Sequence, residues 1–156
     1  MAMAMLLKAF LETEGVQYDL VKHGYSSHSM HAAEKAHVSG DQVAKGVLLH
    51  DEYGYTLAVL PATHKIQMGK LCKQYRRAFS LADESELPKL FSDCEVGAVP
   101  PIGKAYDVQM IMDDHLNDSP DVYFEAGDHA DLVHVSSDSF HHLIGDVPHG
   151  NFSRHI

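Results

Sequence analysis

Val43-Ala-Lys-Gly-Val-Leu-Leu-His-Asp-Glu-Tyr-Gly-Tyr-Thr-Leu-Ala-Val-Leu-Pro61 is the stretch on which the fold turns. Two apolar runs, Val47 to Leu49 and Tyr55 to Leu60, flank Asp51-Glu-Tyr-Gly54. Short apolar runs either side of a polar, glycine-ended turn predict an antiparallel hairpin. Lys45 enters the first strand among apolar neighbours. An unpaired buried ammonium is costly, so Lys45 needs either a carboxylate partner or an anionic ligand.

Elements of both kinds lie on each side of this hairpin. Residues 4–14 set Leu6, Leu7, Phe10 and Leu11 on one helical face, and Gly15 stops the helix. Val16 to Val21 reads as a strand. Tyr25 to Ser29 reads as a loop whose Ser29 caps a helix through Ala32, Ala33 and Ala36. Beyond the hairpin come a basic helix over 67–76 and a helix carrying Leu87, Leu90 and Phe91, with Pro88 tolerable in its first turn. Alternation at Val108, Met110, Met112 and at Val122, Phe124, Ala126 predicts two further strands. Leu132 to Val135 forms another, and Ser136 or Ser137 caps a last helix with Phe140 and Leu143. Interleaved helices and strands with hairpin pairing predict an α+β (mixed α/β) single domain over 1–145. Its sheet is expected to be mixed, mostly antiparallel and barrel-like, surrounded by helices. Residues 146–156 lack any period and are expected to be a loosely held tail.

At 156 residues, 45% apolar and 22% charged, the chain suits one globular core. No apolar run is long enough for a membrane span. Met1 to Lys8 is too short, and lacks the basic region, for a secretion signal. Cys72 and Cys94 stand alone, which fits reduced thiols in a cytoplasmic protein. The net charge of −10 argues by itself against nucleic acid. Yet Pro61 to Ala82 contains no Asp or Glu and carries Lys65, Lys70, Lys73, Arg76 and Arg77. Such a strip is either a solvated helix face or a seat for phosphates.

No GxSxG elbow, Walker loop, GxGxxG or HExxH occurs, so no nucleophile, cofactor or metal site follows from spacing. The 13 histidines are scattered, and neither a cofactor nor a metal is expected. Two more features stand out. Gly97-Ala-Val-Pro-Pro-Ile-Gly103 is a loop that is either a rigid turn or a frame aiming amides at an oxyanion. Gly127-Asp-His-Ala-Asp131 is a turn that either presents His129 to a ligand or leaves it idle.

Taken together and in this order, the stretches His37 to Leu49, Leu57 to Pro61, Asp93 to Gly103 and Phe124 to His129 resemble the YbaK/prolyl-tRNA-synthetase-associated editing family, over about residues 5–144. The resemblance implies hydrolysis of the ester joining a wrong amino acid to tRNA, by water and without a protein nucleophile. The family's glycine-x-x-x-proline loop matches Gly97 to Pro101, its strand-entry lysine Lys45, and a pocket histidine His129. These three are the expected catalytic positions, with Ser29, Gly46, Ala98, Val99, Pro100, Pro101, Gly127 and Asp128 around the substrate. The strip Lys70, Lys73, Arg76 and Arg77 would take the tRNA, with Lys70, Lys73 and Arg77 on one helical face. Many members carry threonine or another small polar residue after the lysine, where this chain has Gly46. A non-catalytic module binding an aminoacyl or nucleotide ligand is the alternative. Mischarged tRNA, with help from a synthetase, is the expected partner of a monomeric protein.

Overall fold

In a computed structural model, residues 3–26 and 28–156 are described. The first two residues of the apolar start, and Ser27 in the loop before the second helix, lie outside them. In chain order the elements are α1 (Met5–Thr13), β1 (Asp19–Lys22), α2 (Ser29–Ala36), β2 (Val43–Asp51), β3 (Gly54–Pro61), β4 (His64–Ile66), α3 (Met68–Tyr75), β5 (Ser80–Leu81), α4 (Leu87–Leu90), β6 (Gln109–Asp113), β7 (Asp121–Glu125), β8 (Asp131–Ser136), α5 (Ser137–Ile144), β9 (His149–Gly150) and β10 (Ser153–His155).

The hairpin is β2 and β3, antiparallel from Ala44 opposite Pro61 to Asp51 opposite Gly54. Gly54 takes φ 115°, a value that favours glycine, and the Asp51 side chain accepts the Tyr53 N–H at 3.0 Å. The main sheet runs β1-β8-β7-β2-β3-β6-β9, with β5 added to β2. The β1–β8, β7–β8, β2–β3 and β2–β5 pairs are antiparallel, and β2–β7, β3–β6 and β6–β9 are parallel. The domain is therefore α+β with a mostly antiparallel, partly parallel sheet.

Strand alternation divides the core. Ala44, Leu48, Leu57 and Val59 pack with Leu7 and Leu11 of α1 and Phe140 and Leu143 of α5. The opposite face of the same hairpin puts Leu49 and Ala58 against Leu71 of α3, and Val43 against Ala32 and Ala33 of α2. Burying each of the larger side chains among these, the leucines, valines and Phe140, stabilises by roughly 1.5–3 kcal/mol, which dominates local propensity.

Several expected details are corrected. Ser29 does not cap α2: it is the first helical residue, and His28 Nδ1 accepts the His31 N–H at 3.3 Å. Leu6 is half-exposed, while Leu7 and Leu11 carry the buried stripe of α1. The tail is not loose. Phe152 is fully buried, and β9 and β10 pair with β6 and β4. The buried Asp113 carboxylate accepts the N–H groups of Phe152 and Ser153 at 2.9 Å each. The aperiodic sequence conceals this anchoring because a remote side chain supplies the acceptor.

Candidate functional site

The second strand changes neighbours along one edge. It meets β7 at Val43 and Ala44 and β5 at Leu49 and His50. Between them, Lys45 to Leu48 have no strand partner on that edge among the described residues. A cavity of about 320 Å³ occupies this gap. Gly46, Val47 and Leu48 form one wall, Gly97 and Val99 another, and Ser29 enters from the first turn of α2. Leu81, Ala82 and Leu87 add apolar surface, and Glu84 also lines it.

Gly46 is narrowly fitted. A methyl group there would stand 2.9 Å from Leu57 Cδ1 and 3.2 Å from its Cγ, so Leu57 fills the space that a side chain at 46 would need. Gly97 takes φ 89°, which strains any residue with a side chain. In the loop that follows, the Ala98 N–H donates to the Glu95 carbonyl at 3.0 Å, and Pro100 and Pro101 carry no N–H. The amides of Gly97 and Val99 are thus the ones the loop can present to the cavity. Ala98, Pro100 and Pro101 are buried.

Lys45 borders an adjoining hollow of about 220 Å³ with Lys65, Ile66 and Met68. The two spaces share Val47 and Leu81. Lys45 Nζ donates to the Ala62 carbonyl at 3.3 Å, and burial lowers its pKa. Among the described residues no carboxylate pairs with it, and its hydrogen bond goes to a neutral carbonyl.

His129, in the left-handed region at φ 60°, stands apart from the 320 Å³ cavity. Its ring lies between Tyr25, at 5.2 Å between centroids, and Glu95, whose Oε2 is 3.8 Å from Nε2. Gly127 and Asp128 are buried and shape this turn instead of lining the cavity. The Asp128 carboxylate accepts the N–H groups of Ala130 and Asp131 at 3.0 Å each. Burial would raise the Asp128 pKa, but hydrogen bonds from Asp131 and these amides hold it down, leaving burial to raise that of Asp131.

Sequence reasoning missed Glu125. It is 1% exposed, neither oxygen has a hydrogen-bond partner among the described residues, and burial pushes its pKa up to about 8. Its place at the end of an apolar strand gives no signal beyond a lone carboxylate in a buried run. The cysteines behave as structural thiols. Cys94 is pushed up to about 12 by burial and contacts the Tyr106 hydroxyl at 3.2 Å, and Cys72 donates to the Phe79 carbonyl at 3.6 Å.

The basic strip is partly redistributed. Lys70 and Lys73 lie on α3, but the helix ends at Tyr75 and Arg76 takes φ 53°. Arg77 therefore does not share their face. It makes a two-point ion pair with Asp51, Nε to Oδ2 at 2.6 Å and Nη2 to Oδ1 at 2.7 Å. Lys70 reaches Asn151 at 3.1 Å. Among the described residues no group of three or more His, Cys, Asp or Glu is disposed to hold a metal ion, and no helix is long and apolar enough to cross a membrane.

The fold and sequence both have relatives. The aminoacyl-tRNA editing domain profile matches residues 26–143. No curated protein matches the chain at a significant level. A crystal structure reported as a candidate trans-editing enzyme for prolyl-tRNA synthetase superposes with a TM-score of 0.84 at 21% identity, covering 97% of this chain and 96% of that one. The hypothetical protein APE2540 gives 0.83 at 20% identity, over 96% and 99%. A candidate signal-transduction protein from Marinobacter aquaeolei VT8 gives 0.78 at 13% identity, with 97% of this chain spanning 31% of that one. These likenesses establish a common fold, and the profile spans most of the chain. The chain belongs to the aminoacyl-tRNA editing domain family.

Proposed function

We propose that the protein is a trans-acting, cytoplasmic aminoacyl-tRNA deacylase that works as a monomer. The observation that carries this reading is the cavity beside β2, between its β7 and β5 pairings, whose lining brings Gly46 and Ser29 together with Gly97 and Val99. An aminoacyl ester is already reactive, so positioning and a preorganised oxyanion site supply most of the rate. No activated side-chain nucleophile is required, in keeping with the raised pKa of the Cys94 thiol.

In this mechanism water adds to the ester carbonyl carbon and the carbonyl electrons move to oxygen, where the Gly97 and Val99 N–H groups receive the charge. Collapse breaks the bond to the terminal ribose oxygen, which leaves with a proton derived from the water. The neighbouring ribose hydroxyl orients that water. The free amino acid and uncharged tRNA result. Apolar Val47, Leu81 and Leu87 hold the amino-acid side chain by size.

Lys45 and Lys65 line the adjoining hollow and supply two point charges for the phosphates of the terminal nucleotides. Met68, at the start of α3, closes that hollow, so Lys70, Lys73 and Arg76 continue the basic path towards the acceptor stem. Arg77 is left out because Asp51 neutralises it. His129 acts through Glu95 at the loop's entry. A net charge of −10 makes tRNA affinity modest, which suits handover from a synthetase.

The test is hydrolysis over a panel of mischarged tRNAs, with charged proline tRNA included because of the neighbour named above. Turnover of at least one ester well above its spontaneous rate is expected. Binding with no turnover across the whole panel would establish the non-catalytic alternative instead.

A further inference from the structure

We propose that Tyr25 is the stacking platform for the terminal base of the tRNA. This rests on the deacylase reading and adds to it the group that holds the nucleoside. Among the described residues two aromatic side chains are largely exposed, Tyr25 at 69% and Tyr53 at 75%. Tyr53 sits in the β2–β3 turn with the Arg77 guanidinium 5.3 Å from its ring centroid. Tyr25 has one ring neighbour, the buried His129, tilted 45° at 5.2 Å. Their backbones are tied together, since the next residue, Ser26, is fully buried and donates its N–H to the His129 carbonyl at 2.8 Å. The tyrosine thus has a tilted imidazole at its side, while most of the residue remains open to solvent.

Its position connects it to the cavity. His129 contacts Glu95, Glu95 opens the turn that delivers Gly97, and Ser29 enters the same cavity from four residues beyond Tyr25. The charge on this side selects the ligand. Glu95 beside His129 repels phosphate but not an uncharged ring. Phosphates are drawn to the Lys45 and Lys65 side and the base to the Tyr25 side. Flat bases stack on aromatic faces in single-stranded recognition, whatever their identity.

Two measurements test this. The first is kcat and KM for deacylation of one mischarged tRNA by wild type, Tyr25→Phe, Tyr25→Trp and Tyr25→Ala. The alanine variant should raise KM about 10- to 100-fold with kcat little changed, while Phe and Trp hold KM within about threefold. The second uses an uncharged CCA-ended hairpin carrying 2-aminopurine as its last base. Its fluorescence should be quenched by wild type and Tyr25→Phe but not by Tyr25→Ala. Equal quenching by Tyr25→Ala, or an unchanged KM, overturns the platform and leaves the deacylase reading standing. A wild type that quenches the probe but hydrolyses no ester overturns the deacylase reading and leaves the platform.

Discussion

Lys45 and Gly97 border two hollows that meet at Val47 and Leu81 instead of facing each other across one. In the proposed mechanism this separation assigns the lysine to a phosphate and the loop to the ester. Lys45→Ala should lower kcat/KM about 10- to 100-fold, mostly through KM. A plot of log KM against log salt should lose about 0.7 of its slope, the contribution of one single-strand phosphate contact. A fall confined to kcat with the slope intact would move the lysine to the ester.

Gly97 combines a left-handed backbone with a place on the cavity wall. Gly97→Val adds a β-branched side chain where φ is 89° and turns the following amides away. Loss of one oxyanion donor costs about 100- to 1000-fold in kcat, and a loss of that size is expected. Ala98→Gly keeps the Glu95 turn and should stay within about tenfold of wild type. Near-normal turnover by the valine variant removes the loop from the chemistry.

Gly46 and Leu57 divide one volume between them. Gly46→Thr, the residue type many family members carry there, should force Leu57 aside and destabilise the fold by about 1–3 kcal/mol. Combining it with Leu57→Ala should recover part of that loss, because the two sites are in contact and non-additive. Urea midpoints of the single and double variants measure the coupling. Strict additivity would mean that Leu57 is not what excludes a side chain at 46.

Glu125 makes stability depend on pH with a definite sign. Its folded pKa, about 8, lies above its unfolded value, so the folded state keeps the proton longer than the unfolded one. That contribution is complete below the unfolded pKa of about 4.3 and is lost as pH rises towards 8. Glu125→Gln, which keeps the shape and cannot ionise, should flatten the decline of the urea midpoint between pH 5 and pH 8 relative to wild type. Parallel curves for the two proteins would show that the carboxyl is not held protonated.

The local elements were legible because each depends on near neighbours. The hairpin follows from two apolar runs around Asp51 to Gly54, and α5 from Ser136 at its head. The buried Phe152 was not, because its anchor is Asp113, far away in sequence. Arg77 read as helical from its spacing, but the chain leaves α3 at Tyr75 to let it meet Asp51. Glu125 carried no mark at all, since a carboxyl reveals its burial only when its neighbours are in place.

For the candidate site, the residue types came from the sequence alone. Gly97 before two prolines, a lysine entering a strand and a glycine after it are properties of short stretches, fixed by backbone geometry and the absence of N–H groups. Which of them share a cavity came only from the tertiary structure. Strand β2 exchanges β7 for β5 along one edge, and that non-local pairing joins Ser29, Gly46 and Gly97 while setting Lys45 next door. Contacts between distant segments depend on register and packing, which no local pattern encodes.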